Sequence, residues 1–300
     1  MSFSTFRVTV GRVLLVAGVL ILLFIPYLLW GTGLITARAQ ADLRQQFALA
    51  QRAHHDQAAL HPPKPAAGPL VLAPTIAAPA PGGPVGILSI PKISLSIVVV
   101  EGTDADQLRS GPGHYPGTPL PGEAGNAAIA GHRTTYLHPF YNLDALVPGD
   151  AINVLTVQGL FVYHVTSSQA VDPSDVAVVA PTPTPMLTLT TCNPRYSASQ
   201  RLVVQAALVA DVLTKASAPA TTSGHHPGAA QLADTPIQKD WWAVIGWGIA
   251  VVALVIGLWI LAARLHGEGK AAVVIGGTVV WLGVVYLFFG ALAPLLPASF

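Results

Sequence analysis

The sequence has 300 residues, of which 52% are hydrophobic and only 10% are charged, and its net charge is +1. So few charges are unusual for the surface of a soluble protein of this length, and the apolar excess lies in three blocks. The small net charge and the lack of a basic stripe argue against a nucleic-acid partner. Composition therefore indicates a membrane protein with a soluble part smaller than its length suggests.

The first apolar block is residues 13–30, which carry no charge and follow Arg7 and Arg12. Hydrophobic cores of cleaved signal peptides are typically about 7–15 residues long, so this longer block predicts an uncleaved signal anchor within residues 1–35. A small-x-small pattern in residues 36–40 leaves cleavage open as an alternative.

The other two apolar blocks, residues 241–263 and 271–292, are each just over twenty residues long. A helix that crosses the hydrocarbon core needs about 20 residues, so each block predicts a transmembrane helix. The turn between them, residues 264–270, contains two cations, and the positive-inside rule places it in the cytoplasm with the N-terminus. We therefore expect a multi-pass protein of the cell membrane, with residues 36–240 on the extracellular side and a tail at 293–300.

The predicted extracellular part is a compact domain between two spacers. Residues 36–84 begin with an amphipathic pattern that predicts a helical stalk, followed by a linker rich in proline. A second linker, residues 215–240, is rich in Ala, Pro, Ser, Thr and Gly. The compact domain is predicted at residues 85–214, tethered at both ends.

Short β-branched and alternating runs, separated by turn residues, dominate this domain. The predicted strands lie within residues 87–95, 97–100, 126–130, 151–157, 160–165, 186–191 and 202–208, with one or two helical turns at 104–109. Many short strands with few helices indicate an all-β barrel or sandwich.

Cys192 is the only cysteine, so no intramolecular disulfide can form. It follows the strand-forming run 186–191 and precedes Asn193 and Pro194, which predicts a rigid position at the rim of the domain. A free Cys is commonly a small buried hydrophobe. In an exported domain, however, a lone thiol is either reactive or paired with another molecule. A nucleophilic thiol needs a partner that exchanges protons.

Four histidines lie in the predicted domain, and from the residues alone each is a candidate for that partner: His114, His132, His138 and His164. His132 follows the strand candidate 126–130 in the way that Cys192 follows its own strand. The two can meet only if their strands are neighbours in the fold.

Arg201 begins the strand that follows Cys192, which predicts a position beside Cys192 across a hairpin-like pair. A guanidinium there could stabilise an oxyanion. Arg195 is closer in sequence but lies in the loop, where we expect a solvated charge. Arg201 could alternatively be a charge that protects the edge of a sheet.

The run Thr188-Leu189-Thr190-Thr191-Cys192, with Arg201 in the next strand, resembles the sortase signature TLxTC. Ile129-Ala130-Gly131-His132 resembles the strand-terminal catalytic histidine of that family, and residues 111–118 resemble the segment that usually precedes it. The amino-acid sequence around both motifs is most similar to that of the class E sortases of actinobacteria.

This resemblance covers about residues 85–213 and implies an eight-stranded β-barrel that carries out a two-step acyl transfer. It implies Cys192 as nucleophile, His132 as proton-transfer residue and Arg201 as oxyanion stabiliser. The substrate would be a surface protein with a C-terminal sorting signal such as LPXTG or LAXTG, cleaved between Thr and Gly. The acceptor would be the amine of a peptidoglycan precursor or a pilin-type protein. Thr191 and Tyr136 are candidates for substrate binding.

No cofactor is expected, and one Cys without a histidine pair at ligand spacing gives no basis for a metal site. Two other interpretations stay open on the sequence. An L,D-transpeptidase also has His before Cys, but its Ser-x-Gly-Cys context is missing here. A non-catalytic membrane scaffold could retain the barrel as a binding module, although the complete set of three candidate residues argues against it.

Overall fold

The computed structural model describes residue 11 and residues 18–60, 72–209, 241–264 and 268–293. These residues fall into two compact units. One contains the apolar segment that ends at Gly31 together with the two C-terminal helices. The other begins at Thr32 and contains a long helix and a β-barrel.

Eight strands form the barrel: β1 (Pro84–Ile90), β2 (Leu95–Glu101), β3 (Gly113–His114), β4 (Asn126–Ala130), β5 (Ala151–Thr156), β6 (Gly159–Val171), β7 (Met186–Asn193) and β8 (Gln200–Leu208). Their order around the closed barrel is β1-β2-β3-β4-β7-β8-β6-β5. Pairing is antiparallel except for β2 with β3 and β4 with β7. Closure leaves no free sheet edge.

The eight-stranded barrel implied by the resemblance is confirmed, and the barrel carries only short helices besides the long one that precedes it. These are the α-helix α2 (Ala105–Ser110) and 3₁₀ helices at Pro91–Ile93, Leu143–Ala145 and Val176–Val179. The largest difference from the predicted strands is β6, which runs to Val171 rather than to residue 165. Its extra residues are polar and small, but they pair with the start of β8.

The barrel interior is filled by aliphatic and aromatic side chains at alternating strand positions. Leu187 and Leu189 of β7 are fully buried there, as are Val154 of β5 and Phe140 from the loop after β4. Alternation follows from the pleat, which sends successive side chains to opposite faces of a strand. The same rule decides which residues of β4, β7 and β8 lie on the outer face.

Helix α1 (Thr32–Leu60) packs on the outside of the barrel and does not stand as a free stalk. Leu43 joins a small cluster with Val98 and Val100 of β2. The Gln40 side-chain amide donates to the Val98 carbonyl and accepts from the Val98 amide, at 2.9 and 2.8 Å. This paired bond satisfies main-chain groups of β2 and fixes the helix against the strand.

Residues 72–83 belong to the predicted proline-rich linker, but they are bound to the barrel. The Ala73 amide donates to the Gly122 carbonyl at 2.9 Å, and the Ile76 amide donates to the buried Glu123 carboxylate at 3.0 Å. Residues 61–71 of that linker, residues 210–214 of the predicted domain and the second linker up to residue 240 lie outside the described residues.

In the other unit, α3 (Trp241–Arg264) and α4 (Glu268–Leu292) are the described helices that are long and apolar enough to cross a membrane. Their apolar windows, Trp241–Leu258 and Val273–Leu292, have mean hydropathies of 2.2 and 2.1. Helix α4 begins inside the predicted polar turn, which shortens that turn. The predicted N-terminal membrane helix includes residues 12–17, which are not described; its described part is helical from residue 18, with a π-helical turn at Tyr27–Gly31.

Candidate active site

Strands β4, β7 and β8 are neighbours in the barrel and bring the candidate residues together. The parallel register of β4 and β7 pairs Ala130 with Thr190, so the residues two positions later are His132 and Cys192. The antiparallel register of β7 and β8 pairs Cys192 directly with Arg201. Residues separated by tens of positions along the chain therefore meet at one end of three adjacent strands.

Strand alternation places these residues on the outer face of the sheet. Ala128 and Ala130 of β4 and Val203 of β8 pack there in a cluster around Tyr115. Thr190 of β7 faces the same cluster, because its hydroxyl lies 2.9 Å from the Tyr115 hydroxyl. Cys192 and Arg201 are each two residues from one of these positions within their strands, so the pleat directs them to the same side. His132 follows the end of β4, two residues after Ala130.

Two hydrogen bonds join β4 and β7 immediately before His132 and Cys192. The Gly131 amide donates to the Thr190 carbonyl at 3.0 Å, and the Thr191 hydroxyl donates to the Gly131 carbonyl at 2.7 Å. Gly131 is required by space: a Cβ there would lie 2.6 Å from the Phe140 ring. Phe140 in turn donates its amide to the His132 carbonyl at 3.1 Å.

A third contact follows the two candidate residues. Arg133 donates through Nη1 to the Cys192 carbonyl at 3.1 Å and to the Asn193 side-chain oxygen at 2.7 Å. Hydrogen bonds therefore bracket His132 and Cys192 on both sides. This holds the main chains that carry the imidazole and the sulfur in a defined relation.

His132 is partly buried, and burial is the main cause that lowers its pKa from 6.5 to about 4. The Arg109 guanidinium lowers it further by charge repulsion. The Tyr136 ring lies against the imidazole with 5.0 Å between centroids and 36° between planes. His132 is therefore a neutral imidazole at neutral pH and is able to accept a proton.

Arg201 lies across from Cys192 and is partly exposed. Its Nη1 donates to the Ala198 carbonyl in the loop before β8 and to the Gln200 carbonyl at the start of β8, at 3.2 and 3.4 Å. These two bonds leave further N–H groups on the guanidinium for a ligand, since arginine has five donors.

Tyr115 is the buried phenol behind this face. Burial raises its pKa, while the hydrogen bond with Thr190 and the charge of Arg201 oppose that rise, and Cys192 adds to it. Tyr115 therefore interacts electrostatically with both Arg201 and Cys192. Sequence reasoning did not select it, although it lies in the segment 111–118 that the resemblance included.

The other histidines of the barrel unit are placed elsewhere. His114 is fully buried, with Nδ1 2.8 Å from the Glu101 carboxylate and Nε2 3.0 Å from the Pro119 carbonyl. His138 is exposed and lies edge-on to Tyr141. His164 is exposed on β6. Of the four, His132 alone adjoins the end of β7.

Arg195 is not the freely solvated charge expected from the sequence. It donates to both Asp144 carboxylate oxygens, at 2.8 and 3.0 Å, and its guanidinium carbon lies 4.5 Å from the Tyr141 ring centroid. Asp144 also pairs with Arg133 at 3.0 Å. Arg195 therefore binds the loop before β8 to the loop after β4, because both loops meet at Asp144.

Thr191 and Tyr136, the two candidates for substrate binding, have defined places in the site. Thr191 is 3% exposed and faces inward, and its hydroxyl is used in the bond to Gly131. Tyr136 has a positive φ of 53°, its ring packs at a tilt against His132, and its amide donates to the Thr32 hydroxyl at 3.2 Å. For both residues, contact with substrate stays a prediction.

Among the described residues, no group of three His, Cys, Asp or Glu side chains has the proximity to hold a metal ion. The chemistry available at this face is that of a thiol, a neutral imidazole and several guanidinium groups.

The chain is similar in sequence to known sortases. The family model of the Sortase domain matches residues 88–209. Sortase SrtE1 of Streptomyces coelicolor is 33% identical over 216 residues, covering 67% of this chain and 56% of the relative. Sortase SrtE2 of the same organism is 30% identical over 222 residues, covering 66% of this chain and 80% of that relative. The chain thus spans just over half the length of SrtE1 and most of SrtE2.

Among solved structures, a Sortase D5 transpeptidase of Clostridium perfringens is 27% identical, with a TM-score of 0.45, and the match covers 58% of this chain and 98% of that one. The family model lies on the barrel that holds Cys192, and the match to SrtE2, at 30% identity, covers 80% of that relative. The chain therefore belongs to the sortase family of cysteine transpeptidases.

Proposed function

We propose that this protein is a membrane-anchored sortase that cleaves an LPXTG-like or LAXTG-like sorting signal between Thr and Gly. It then transfers the acyl group to an amine of the cell wall or of a second protein. The observation that supports the proposal is the register of β4, β7 and β8, which pairs Cys192 with Arg201 and sets the end of β4, two residues before His132, beside β7.

In the first step, the Cys192 sulfur attacks the carbonyl carbon of the scissile peptide bond. Neutral His132 takes the thiol proton as the S–C bond forms. The negative charge moves to the carbonyl oxygen, where Arg201 stabilises it with the N–H groups that do not bind the Ala198 and Gln200 carbonyls.

In the second half of this step, the C–N bond breaks and His132 gives its proton to the leaving amine. An imidazolium with a pKa of about 4 is a strong acid toward an amine, so this transfer is favourable. The product is a thioester on Cys192. An acceptor amine then attacks the thioester, loses a proton to His132, and releases Cys192.

The proposed location follows the apolar segments. Helices α3 and α4 indicate membrane anchoring. With the N-terminal apolar block as a third crossing, the catalytic domain at 85–214 would lie on the extracellular side of a multi-pass protein. Clients with sorting signals, the acceptor and the bilayer would then be its partners.

The experiment that tests the proposal is cleavage of a peptide panel by the full-length protein in detergent. Peptides with LPXTG-like and LAXTG-like sequences are compared with peptides in which the Thr-Gly pair is scrambled, and Cys192→Ala is the control. The proposal requires cleavage between Thr and Gly that disappears in the variant. A non-catalytic scaffold would bind at most, without cleavage, and activity that survives in Cys192→Ala would contradict the mechanism.

A further inference from the structure

Arg133 is a buried cation whose hydrogen bonds end on the nucleophile's own main chain. Its side chain is 3% exposed. One end pairs with Asp144 at 3.0 Å, and the other donates to the Cys192 carbonyl and the Asn193 side chain. Removing a guanidinium from water is costly unless such partners replace the water. Nε has no hydrogen-bond partner among the described residues, so the burial is not fully compensated.

Because of its position in the chain, Arg133 connects the segment that carries His132 to the segment that carries Cys192. Arg133 follows His132 directly, and its Nη1 donates to Cys192 and to the residue after it. One side chain therefore joins the residue next to the imidazole to the residue that carries the sulfur. The Thr191 bond to Gly131 does the same one position earlier. A register slip of β4 against β7 would break both.

The charge of Arg133 also reaches the sulfur, since Arg133 and Cys192 interact electrostatically. A cation near a thiol favours the thiolate. Three other ionisable groups lie around Arg133: Asp144, Arg195 and Tyr141. Those around Cys192 are Tyr115, Arg201 and His132. Asp144 opposes the effect of Arg133 because it neutralises part of its charge.

We propose that Arg133 is a positioning residue that holds the Cys192 main chain against the His132 loop and favours the thiolate form of the sulfur. This inference rests on the proposed function for its catalytic part, but its effect on the thiol can be measured without any substrate. It adds to the three candidate residues a fourth that does not touch the reacting peptide.

The test uses the full-length protein in detergent and iodoacetamide as the probe. Cys192 is the only cysteine, so alkylation reports on this sulfur alone. The rate is measured against pH for wild type, Arg133→Gln, Arg133→Lys and Asp144→Asn. The matched control is Arg44→Gln, because Arg44 also donates to a main-chain carbonyl, that of Ser96, but lies on α1.

Loss of the Arg133 charge should raise the pH midpoint of alkylation by at least about half a unit, and Arg133→Lys should restore most of it. Asp144→Asn should move the midpoint the other way, which a general loss of structure would not do. In peptide cleavage, Arg133→Gln should lower kcat by about tenfold or more with little change in KM, since it loses hydrogen bonds of a charged group.

The inference is overturned if folded Arg133→Gln keeps the wild-type alkylation profile and a kcat within about twofold of wild type. If that variant does not fold, Asp144→Asn decides by the sign of its shift, and an unchanged or raised midpoint in that variant would overturn the inference. Wild-type protein that alkylates as expected but cleaves no sorting peptide would instead contradict the proposed function alone.

Discussion

Thr191 donates its hydroxyl to the main-chain carbonyl of Gly131 across 2.7 Å, in the buried end of the barrel. The bond joins β7 to the end of β4 one residue before Cys192 and His132. A threonine beside the nucleophile therefore aligns two strands, and the two candidate catalytic groups are the next residues along them.

Replacing Thr191 with Val removes this bond but keeps the shape of the side chain. The Gly131 carbonyl would remain buried without its donor, so we expect a loss of about 1–3 kcal/mol in the free energy of unfolding. We also expect kcat to fall about tenfold, because His132 and Cys192 lose alignment. Thermal melting and peptide cleavage measure the two effects.

Thr191→Ser is the matched control, since it keeps the hydroxyl, and it should recover most of both losses. Equal loss of activity in the Ser and Val variants would show that the methyl group, and not the hydrogen bond, is what the site needs.

The pH dependence of cleavage should follow His132. The acid limb of kcat/KM reports an essential base of the free enzyme, so it should lie near pH 4 rather than 6.5. Arg109 contributes to this low pKa by charge repulsion, so Arg109→Gln should move the acid limb to higher pH. The movement should be partial, because burial is the larger cause. An acid limb that is unchanged in Arg109→Gln would contradict this electrostatic contact.

Protein stability should also carry the signature of His132. The folded-state pKa of about 4 lies below the ordinary value of 6.5, so between these values the unfolded chain binds more protons. The contribution of His132 to stability is therefore full above pH 6.5 and is lost as pH falls through 4. Urea unfolding of wild type should show this loss, and His132→Gln should have a flatter profile over that window. Parallel profiles would mean that the imidazole titrates normally.

Arg201 should matter for the reaction far more than for the fold. Its guanidinium donates to the nearby Ala198 and Gln200 carbonyls, and it is partly exposed, so Arg201→Ala should change the melting temperature little. Loss of an oxyanion donor typically costs about 10²–10³ in kcat. Arg201→Lys should recover only a small part, because lysine lacks the planar fork. A large drop in melting temperature together with modest kinetic loss would reverse this assignment.

Much of this site could be predicted from local sequence. Turn residues and β-branched runs located most strands. The short separation of Cys192 and Arg201 along the sequence indicated a hairpin-like pair, and the two residues are paired in the observed register. Strand alternation could also have shown that Thr191 faces inward, opposite to Cys192, but the sequence alone did not say which face was covered.

Long-range contacts could not be predicted in the same way. The parallel pairing of β4 with β7 joins segments sixty residues apart, so only family resemblance separated His132 from the other histidines. Arg133 and Asp144 are charged loop residues by sequence, and their burial and pairing depend on how two distant loops meet. Gln40 likewise gave no signal that α1 would pack on β2.

The central claim is that Cys192 carries the acyl group between donor and acceptor. Intact-mass measurement of the full-length protein after incubation with a sorting peptide, without acceptor amine and quenched in acid, tests it directly. We expect an added mass equal to the peptide up to its Thr, present in wild type, absent in Cys192→Ala, and released by hydroxylamine. Peptide cleavage with no such adduct, or an adduct that persists in Cys192→Ala, would contradict it.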